Sequence, residues 1–438
     1  MSNFARNTLV GALGMLMGVM LALGVGVHAE RESHNADRTI PMQDIRALSE
    51  VFGKIKENYV EPVKDKTLLE NAIRGMLAGL DPHSTYLDKA AFQELRVGTT
   101  GEFGGLGIVV GMEDGFVKVV SPIDDTPAQK AGIKSGDLII RLDNKPVKGM
   151  TLDDAVKLMR GRPGTKITLL VVREGEQKPL TFVLTRDRIR VQSVKSRDLE
   201  DGYGYVRISQ FQERTAADMR KAISKLKKKN HGKLKGLILD LRNNPGGLLD
   251  AAVDVADTFI TSGTIVSVRG RNSENDVTHT ATPNDMLKGA PMIVLVNGGS
   301  ASASEIVSGA LQDDKRAIIM GSKTFGKGSV QTVVPLGNDT AIKLTTARYY
   351  TPSGRSIQAE GIEPDIVLDN LKVAEIQQQK GTGPIKEADL EGHLINDHEG
   401  KKAAHKDDKK ERVDLAKQDY ALYEALNVLK GMAFLGKH

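Results

Sequence analysis

The spacing of apolar positions changes several times along this chain, and each change marks a different kind of element. After an uncharged apolar stretch from Leu9 to Val27, Ile45, Leu48, Phe52, Ile55 and Tyr59 recur at the spacing of one helix face. Leu69, Ile73, Met76 and Leu77 mark a second helix, which stops at Gly79 and Asp81-Pro82. So small a helical segment buries little by itself and needs another domain or a second subunit to pack on. From about Val97 to Arg186 the pattern turns to short strands and turns. From about Lys195 to Asp365 strands alternate with helices. The strands are Tyr203–Phe211, Leu234–Leu241, Pro291–Val296 and Ala317–Gly321, and the helices are Thr215–Lys229, Leu248–Ile260 and Ser302–Asp314. This alternation predicts an α/β layered domain, with a long strand from Ala341 to Tyr350 near its end. Residues from about Ile376 to Arg412 are polar and rich in Gln and Lys, and read as mobile. Leu415, Tyr423, Leu426, Leu429 and Phe434 then restore a helical stripe that must cover a surface, on the same subunit or on a neighbour.

Composition narrows the field. At 438 residues the chain is too long for one ordinary domain. A net charge of +5 is small for that length, and runs such as Lys225 to Lys229 and Lys406 to Arg412 read as solvated, so no nucleic-acid partner is implied. Cysteine is absent, which excludes a thiol nucleophile, a cysteine zinc site, disulfides and a lipidated N-terminal cysteine. Arg6 ahead of the Leu9–Val27 stretch, with Val27-His28-Ala29 and the polar Glu30-Arg31-Glu32 behind it, reads as a signal peptide or an uncleaved anchor. Either way the bulk of the chain leaves the cytoplasm.

A glycine-rich turn, Gly104-Gly105-Leu106-Gly107, runs straight into the β-rich Ile108-Val109-Val110. Glycines let a backbone approach a ligand closely, and N–H groups in such a turn can cradle a terminal carboxylate while the strand pairs with a peptide. The downstream run from Thr126-Pro127-Ala128 through Gly132-Ile133-Lys134-Ser135-Gly136-Asp137-Leu138-Ile139 resembles the signature of bacterial PDZ domains. Thr151 to Met159 then reads as the helix that walls the groove, with Thr151 as N-cap.

Chemistry concentrates in two later runs. Asn297-Gly298-Gly299-Ser300-Ala301-Ser302-Ala303-Ser304-Glu305 follows an apolar strand and opens a helix. A serine there sits at the sheet edge, where backbone N–H groups and the helix dipole can meet an oxyanion. A serine nucleophile needs a base. The nine histidines lie at the export signal, in the C-terminal tail, in the helical N-terminal part (His83) or in polar loops (His231, His279), and none has an evident acidic partner. Lys327, between Gly326 and Gly328 beside an apolar strand, is the better candidate. Bringing a lysine from about 10.4 to near 7 takes roughly 4–5 kcal/mol of desolvation or electrostatic cost, which a dry glycine-lined turn could supply. Gln331, four positions on, shares a face with it and could orient the amine without charging it.

These two runs, with Asp240-Leu241-Arg242-Asn243-Asn244-Pro245-Gly246-Gly247 and Asp81-Pro82-His83-Ser84, resemble the signature of the carboxyl-terminal processing peptidases, or tail-specific proteases, over roughly Asp81 to Asp365. The resemblance implies a multidomain protein with a crotonase-like (ClpP-like) α/β protease core, a PDZ domain before it, and helical N- and C-terminal segments. Carried over by motif, Ser302 is the nucleophile, Lys327 the general base and Gln331 its positioning partner. The oxyanion donors are the N–H groups of Ala303 and of Gly246 or Gly247, while Ser300 and Ser304 act as caps or supports. Gly105, Leu106, Gly107 and Ile108 take substrate tails in the PDZ groove, to hold them or to gate the active site. No metal or cofactor is implied. The expected partners are protein or peptide substrates, a lipoprotein adaptor and further copies of the chain, in the periplasm. The expected boundaries are 1–29 for the signal peptide or anchor, 38–95 for the helical N-terminal region, 97–186 for the PDZ domain, 187–366 for the protease core, and 367–438 for the polar linker and C-terminal helix.

Overall fold

The computed structural model describes residues 41–200, 202–273, 276–368 and 415–436. The predicted signal segment at 1–29 and the polar stretch from Ile376 to Arg412 lie outside the described residues. The chain divides into two units, residues 1–79 and 80–438. In the first, α1 (Met42–Asn58) and α2 (Asp65–Ala78) follow the predicted helical spacing. Ile45, Leu48, Val51 and Ile55 stand exposed on α1.

The second unit starts with a departure from expectation. Asp81-Pro82-His83-Ser84 leads into a strand, β1 (Thr85–Leu87), rather than more helix. Next comes α3 (Lys89–Thr100), N-capped by Asp88, which runs across the expected start of the PDZ segment at 97. The glycine-rich turn lies between β2 (Glu102–Gly105) and β3 (Ile108–Glu113). There follow β4 (Phe116–Pro122), the single turn α4 (Pro127–Lys130), β5 (Leu138–Leu142), β6 (Lys145–Pro146), α5 (Leu152–Met159), β7 (Lys166–Val172) and β8 (Leu180–Thr185). Strands β3-β4-β5-β7-β8 form an antiparallel sheet, with β6 on β5, around Leu106, Val117, Val119, Ile139, Leu169 and Leu184. Thr151 caps α5 as expected by accepting from the Asp154 N–H. A short ribbon of β2 with β9 (Asp187–Arg190) closes this segment.

The rest of the chain builds two layers. β10 (Val194–Glu200), β11 (Tyr203–Ile208), α6 (Thr215–Lys229), β12 (Gly236–Asp240), α7 (Leu249–Asp257), β13 (Thr264–Gly270), β14 (Val277–Thr280), β15 (Met292–Val296), α8 (Ala303–Asp313), β16 (Ile318–Gly321), β17 (Ser329–Pro335), β18 (Ala341–Tyr350), β19 (Ile366–Val367) and α9 (Tyr420–Leu435) follow in order. One sheet has the order β10-β11-β12-β15-β16-β19, parallel from β11 onward. Alternation places Leu237, Leu239, Met292, Val294 and Val296 in the core shared with α6, α7 and α8. Ile238, Ile293 and Leu295 point the other way, against Leu422, Leu426 and Leu429 of α9. Burial on both faces is why β15 reads as an unbroken apolar run and β12 as one interrupted only by Asp240 at its end. The C-terminal helix therefore covers the sheet of its own chain. Its Asp419 N-cap also takes a two-pronged bond from Arg242 at 2.8 and 2.7 Å. A second sheet, β1-β18-β13-β14 with β17 on β18, flanks the active-site region.

Candidate active site

Ser302 stands at the junction of the turn after β15 and the first turn of α8, with φ 56° and ψ −112°. A non-glycine residue in that region is strained, and such strain concentrates at functional sites. The flanking serines behave differently. Ser300 and Ser304 are fully buried. Their hydroxyls donate to the carbonyls of Leu241 (2.8 Å) and Asn244 (2.9 Å), so they stitch this turn to the Asn-Asn-Pro-Gly-Gly turn. Only the middle serine of the three lines the cavity of about 650 Å³ beside it. Lys327, Ser329, Gln331, Lys343 and Tyr349 line the same cavity.

Asn244 organises the facing turn. Its carbonyl accepts from the Ala301 N–H at 3.0 Å, and its side-chain oxygen accepts from the Gly246 N–H at 2.9 Å. The N–H of Gly246 is thus occupied. Gly247 has φ 146°, and a Cβ there would lie 2.0 Å from the Phe211 carbonyl oxygen. Among the described residues, neither the Gly247 N–H nor the Ala303 N–H meets an intramolecular acceptor. Both residues line the cavity. A Cβ on Gly246 would come 2.9 Å from the Ser302 Cβ and 3.0 Å from the Ala303 nitrogen.

Lys327 arrives on the loop between β16 and β17. Burial holds its amine below the ordinary lysine range, helped by the Lys343 cation, while Asp81 and Glu305 pull the other way. Glu305, three residues after Ser302, is fully buried. Its carboxylate accepts from the Ser302 N–H (2.7 Å), the Lys327 N–H (2.9 Å), the Gly326 N–H (2.7 Å) and the Thr324 hydroxyl (2.5 Å). Tyr349, also buried, donates its hydroxyl to the Lys327 carbonyl and contacts the Ser302 hydroxyl. Burial and the Glu305 charge push that phenol well above its ordinary value, so it stays protonated. Gln331 lies in the cavity, but its amide nitrogen donates to Ser329 (2.9 Å) and Thr345 (3.3 Å). Asp81 accepts from the His83 N–H, the Ser84 N–H and hydroxyl, and the Thr345 hydroxyl, which ties the Asp-Pro-His-Ser turn to β18. The His83 imidazole is held below its ordinary value by burial and by the Lys327 cation.

Tyr349, Lys343 and Glu305 are therefore neighbours of the site that the sequence reading did not assign. Glu305 carried a readable signal, since Ser302-x-x-Glu305 has capping-box spacing. The apolar part of the cavity comes from Leu95 on α3, Leu248, Leu249, Ile306, Val330 and Val333. In the PDZ segment, Gly105 ends β2 and Ile108 opens β3. The N–H groups of Leu106 and Gly107 between them meet no acceptor among the described residues.

Comparison with known proteins bears on the family of the chain. The model of peptidase family S41 matches residues 202–368, a PDZ domain model matches 118–173, and a model described as the activating protease CtpB N-terminal domain matches 8–91. A carboxy-terminal-processing protease of Bartonella bacilliformis is 48% identical over 388 residues, covering 88% of each chain. The carboxy-terminal processing protease CtpA of Bacillus subtilis is 38% identical over 321 residues, covering 73% of this chain and 68% of that one. Among solved structures, a photosystem II D1 C-terminal processing protease is 35% identical, with a TM-score of 0.44, over 74% of this chain and 86% of that chain.

Proposed function

This chain belongs to the carboxy-terminal processing proteases of peptidase family S41, and from that premise we propose that it cuts polypeptides by acyl transfer through a Ser302–Lys327 dyad. The family makes it a serine-type peptidase with a PDZ domain, acting on proteins or peptides. What carries the dyad is the contrast among the three serines: Ser300 and Ser304 are buried in backbone bonds, and Ser302 faces the cavity that Lys327 also lines. Neutral Lys327 takes the Ser302 hydroxyl proton as the oxygen attacks a peptide carbonyl. The resulting oxyanion accepts from the Ala303 and Gly247 N–H groups at the positive end of α8. Gly246, whose own N–H is taken by Asn244, serves by letting the turn approach Ser302. The lysine returns the proton to the leaving amine. It then deprotonates the water that splits the acyl-enzyme. Gln331 acts from the cavity wall, through Ser329 and Thr345, to position that wall beside the lysine.

The remaining parts of the proposal rest on narrower support. The parallel sheet with crossover helices on one face supports a crotonase-like core at 187–366. The free N–H groups of Leu106 and Gly107 support tail capture by a PDZ domain at 97–186, either to hold substrates or to gate the site. The Leu9–Val27 stretch, whose sequence suits a signal peptide or anchor at 1–29, supports export to the periplasm. Among the described residues no helix is long and apolar enough to cross a membrane. Self-association draws support from the exposed apolar face of α1, in the helical region 38–95. The helix of segment 367–438 gives it less, because Leu426 and Leu429 of its stripe pack on its own sheet and Phe434 is the part that stays exposed. A lipoprotein adaptor rests on the family resemblance alone.

The test is cleavage of an unfolded protein by Ser302→Ala, Ser300→Ala and Ser304→Ala. We expect no turnover from the first, with its melting curve unchanged, and reduced stability but retained turnover from the other two. A tenth of wild-type turnover in folded Ser302→Ala would overturn the assignment.

A further inference from the structure

We infer that Glu305 is the positioning residue that holds the nucleophile turn and the lysine loop in one frame. The inference rests on reading Ser302 and Lys327 as the dyad. One carboxylate oxygen accepts from the N–H groups of Ser302 (2.7 Å) and Lys327 (2.9 Å), so a single atom spans both members of the pair. The other accepts from the Gly326 N–H (2.7 Å) and the Thr324 hydroxyl (2.5 Å). Thr324 is itself held, its hydroxyl oxygen accepting from the Ile362 N–H at 2.7 Å. Burial pushes the Glu305 carboxyl above its ordinary value, and the four groups around it all donate to it and oppose that rise. Only an ionised carboxylate offers two acceptor atoms and no donor, and charge-assisted bonds of this kind are the strong ones. A glutamine of the same shape would point an amide N–H at two donors.

The same charge acts on the base. The charges that act on the Lys327 amine are Lys343 from β18, Asp81 from the turn before β1 and Glu305 from α8, and the amine in turn acts on His83 of that same turn. Glu305 favours the protonated amine. Removing its charge lowers the lysine further, so the rising limb of the rate profile moves to lower pH even as the maximum rate falls.

The experiment measures kcat, KM and the pH profile of a fluorogenic peptide with Glu305→Gln and Glu305→Asp. For Glu305→Gln we expect kcat to drop about 100-fold, as for a misplaced reacting group, with KM little changed and the midpoint shifted to lower pH. Glu305→Asp keeps the charge but is one methylene short, so kcat should fall while the midpoint stays. A residue that only supports the fold would lower the active fraction and leave the midpoint in place. Wild-type kcat in Glu305→Gln, or one common midpoint for both variants, overturns the inference. Should Glu305→Gln not fold, Glu305→Asp decides: a fall in kcat per folded enzyme, with the folded fraction taken from a urea melt, at constant KM supports the frame, and an unchanged kcat per folded enzyme sinks it. Ser302→Ala run alongside separates the two readings, since turnover there removes the dyad itself, whereas a dead Ser302→Ala with wild-type Glu305 variants removes only the role of Glu305.

Discussion

Gly246→Ala is the sharpest single probe of the active-site packing. The residue has φ 102°, and an added methyl would lie 2.8 Å from the Ala301 oxygen, 2.9 Å from the Ser302 Cβ and 3.0 Å from the Ala303 nitrogen. The backbone conformation alone costs an L-residue on the order of 1–3 kcal/mol. Crowding a packed site adds about 1–3 kcal/mol. The neighbours are backbone atoms and the nucleophile itself, so relief comes only by moving the Ser302–Ala303 turn. That movement displaces an oxyanion donor, and losing one such donor costs about 100- to 1000-fold in kcat. The assay is kcat per folded enzyme, with the folded fraction taken from a urea melt. Gly232→Ala is the control: its φ is 84°, but nothing lies within 4 Å of the added methyl. It should lose some stability and no kcat. If Gly246→Ala kept more than about a tenth of the wild-type kcat, the placement of Gly246 against Ser302 would be wrong, and the oxyanion assignment with it.

Two further outcomes are expected. Because Lys327 works as a base only when neutral and burial holds it below the ordinary lysine range, kcat/KM should rise with pH through that lowered value. Between the lowered value and the ordinary one the unfolded chain binds more protons than the folded one, so this residue's contribution to stability also grows with pH across that window. Lys327→Arg should be inactive at every pH, because a guanidinium does not deprotonate in proteins. A flat profile, or an active arginine variant, would show that another group takes the serine proton. In the PDZ segment, a substrate peptide with a free carboxylate should bind more tightly than its C-terminal amide, since the Leu106 and Gly107 N–H groups await an acceptor. Equal affinities by fluorescence titration would refute capture by the terminus.

How far the sequence could be read depended on what each residue packs against. Met292 to Val296 are apolar without a break, and Leu237 to Leu241 are broken only by the buried Asp240, because both faces of their strands are covered, and that signal needs no knowledge of the partner. The long strand Ala341–Tyr350 was readable for its length. By contrast, β10 reads Val-Lys-Ser-Arg-Asp-Leu-Glu and lies at the edge of its sheet. Such a strand carries little apolar patterning because one side meets water. The stripe of α9 was legible, but a stripe does not name the surface it covers. Gly246 and Gly247 are indistinguishable as letters; φ, the Asn244 bond and the Phe211 contact separate them. Tyr349 looks like any aromatic in a strand until the fold brings its hydroxyl to Ser302.

Docking α9 on the outer face of the parallel sheet also sets a schedule. The last strand of that sheet ends at Val367, and α9 starts at Tyr420. A chain that emerges N-terminus first, from a ribosome or across a membrane, therefore presents the strands before the helix that covers them. Throughout that interval Ile238, Ile293, Leu295 and Met320 have no cover. Arg242, which precedes the Asn-Asn-Pro-Gly-Gly turn, likewise lacks Asp419. A nascent chain thus exposes a sticky sheet and an unbraced oxyanion turn together. The docking of α9 ends both conditions at once.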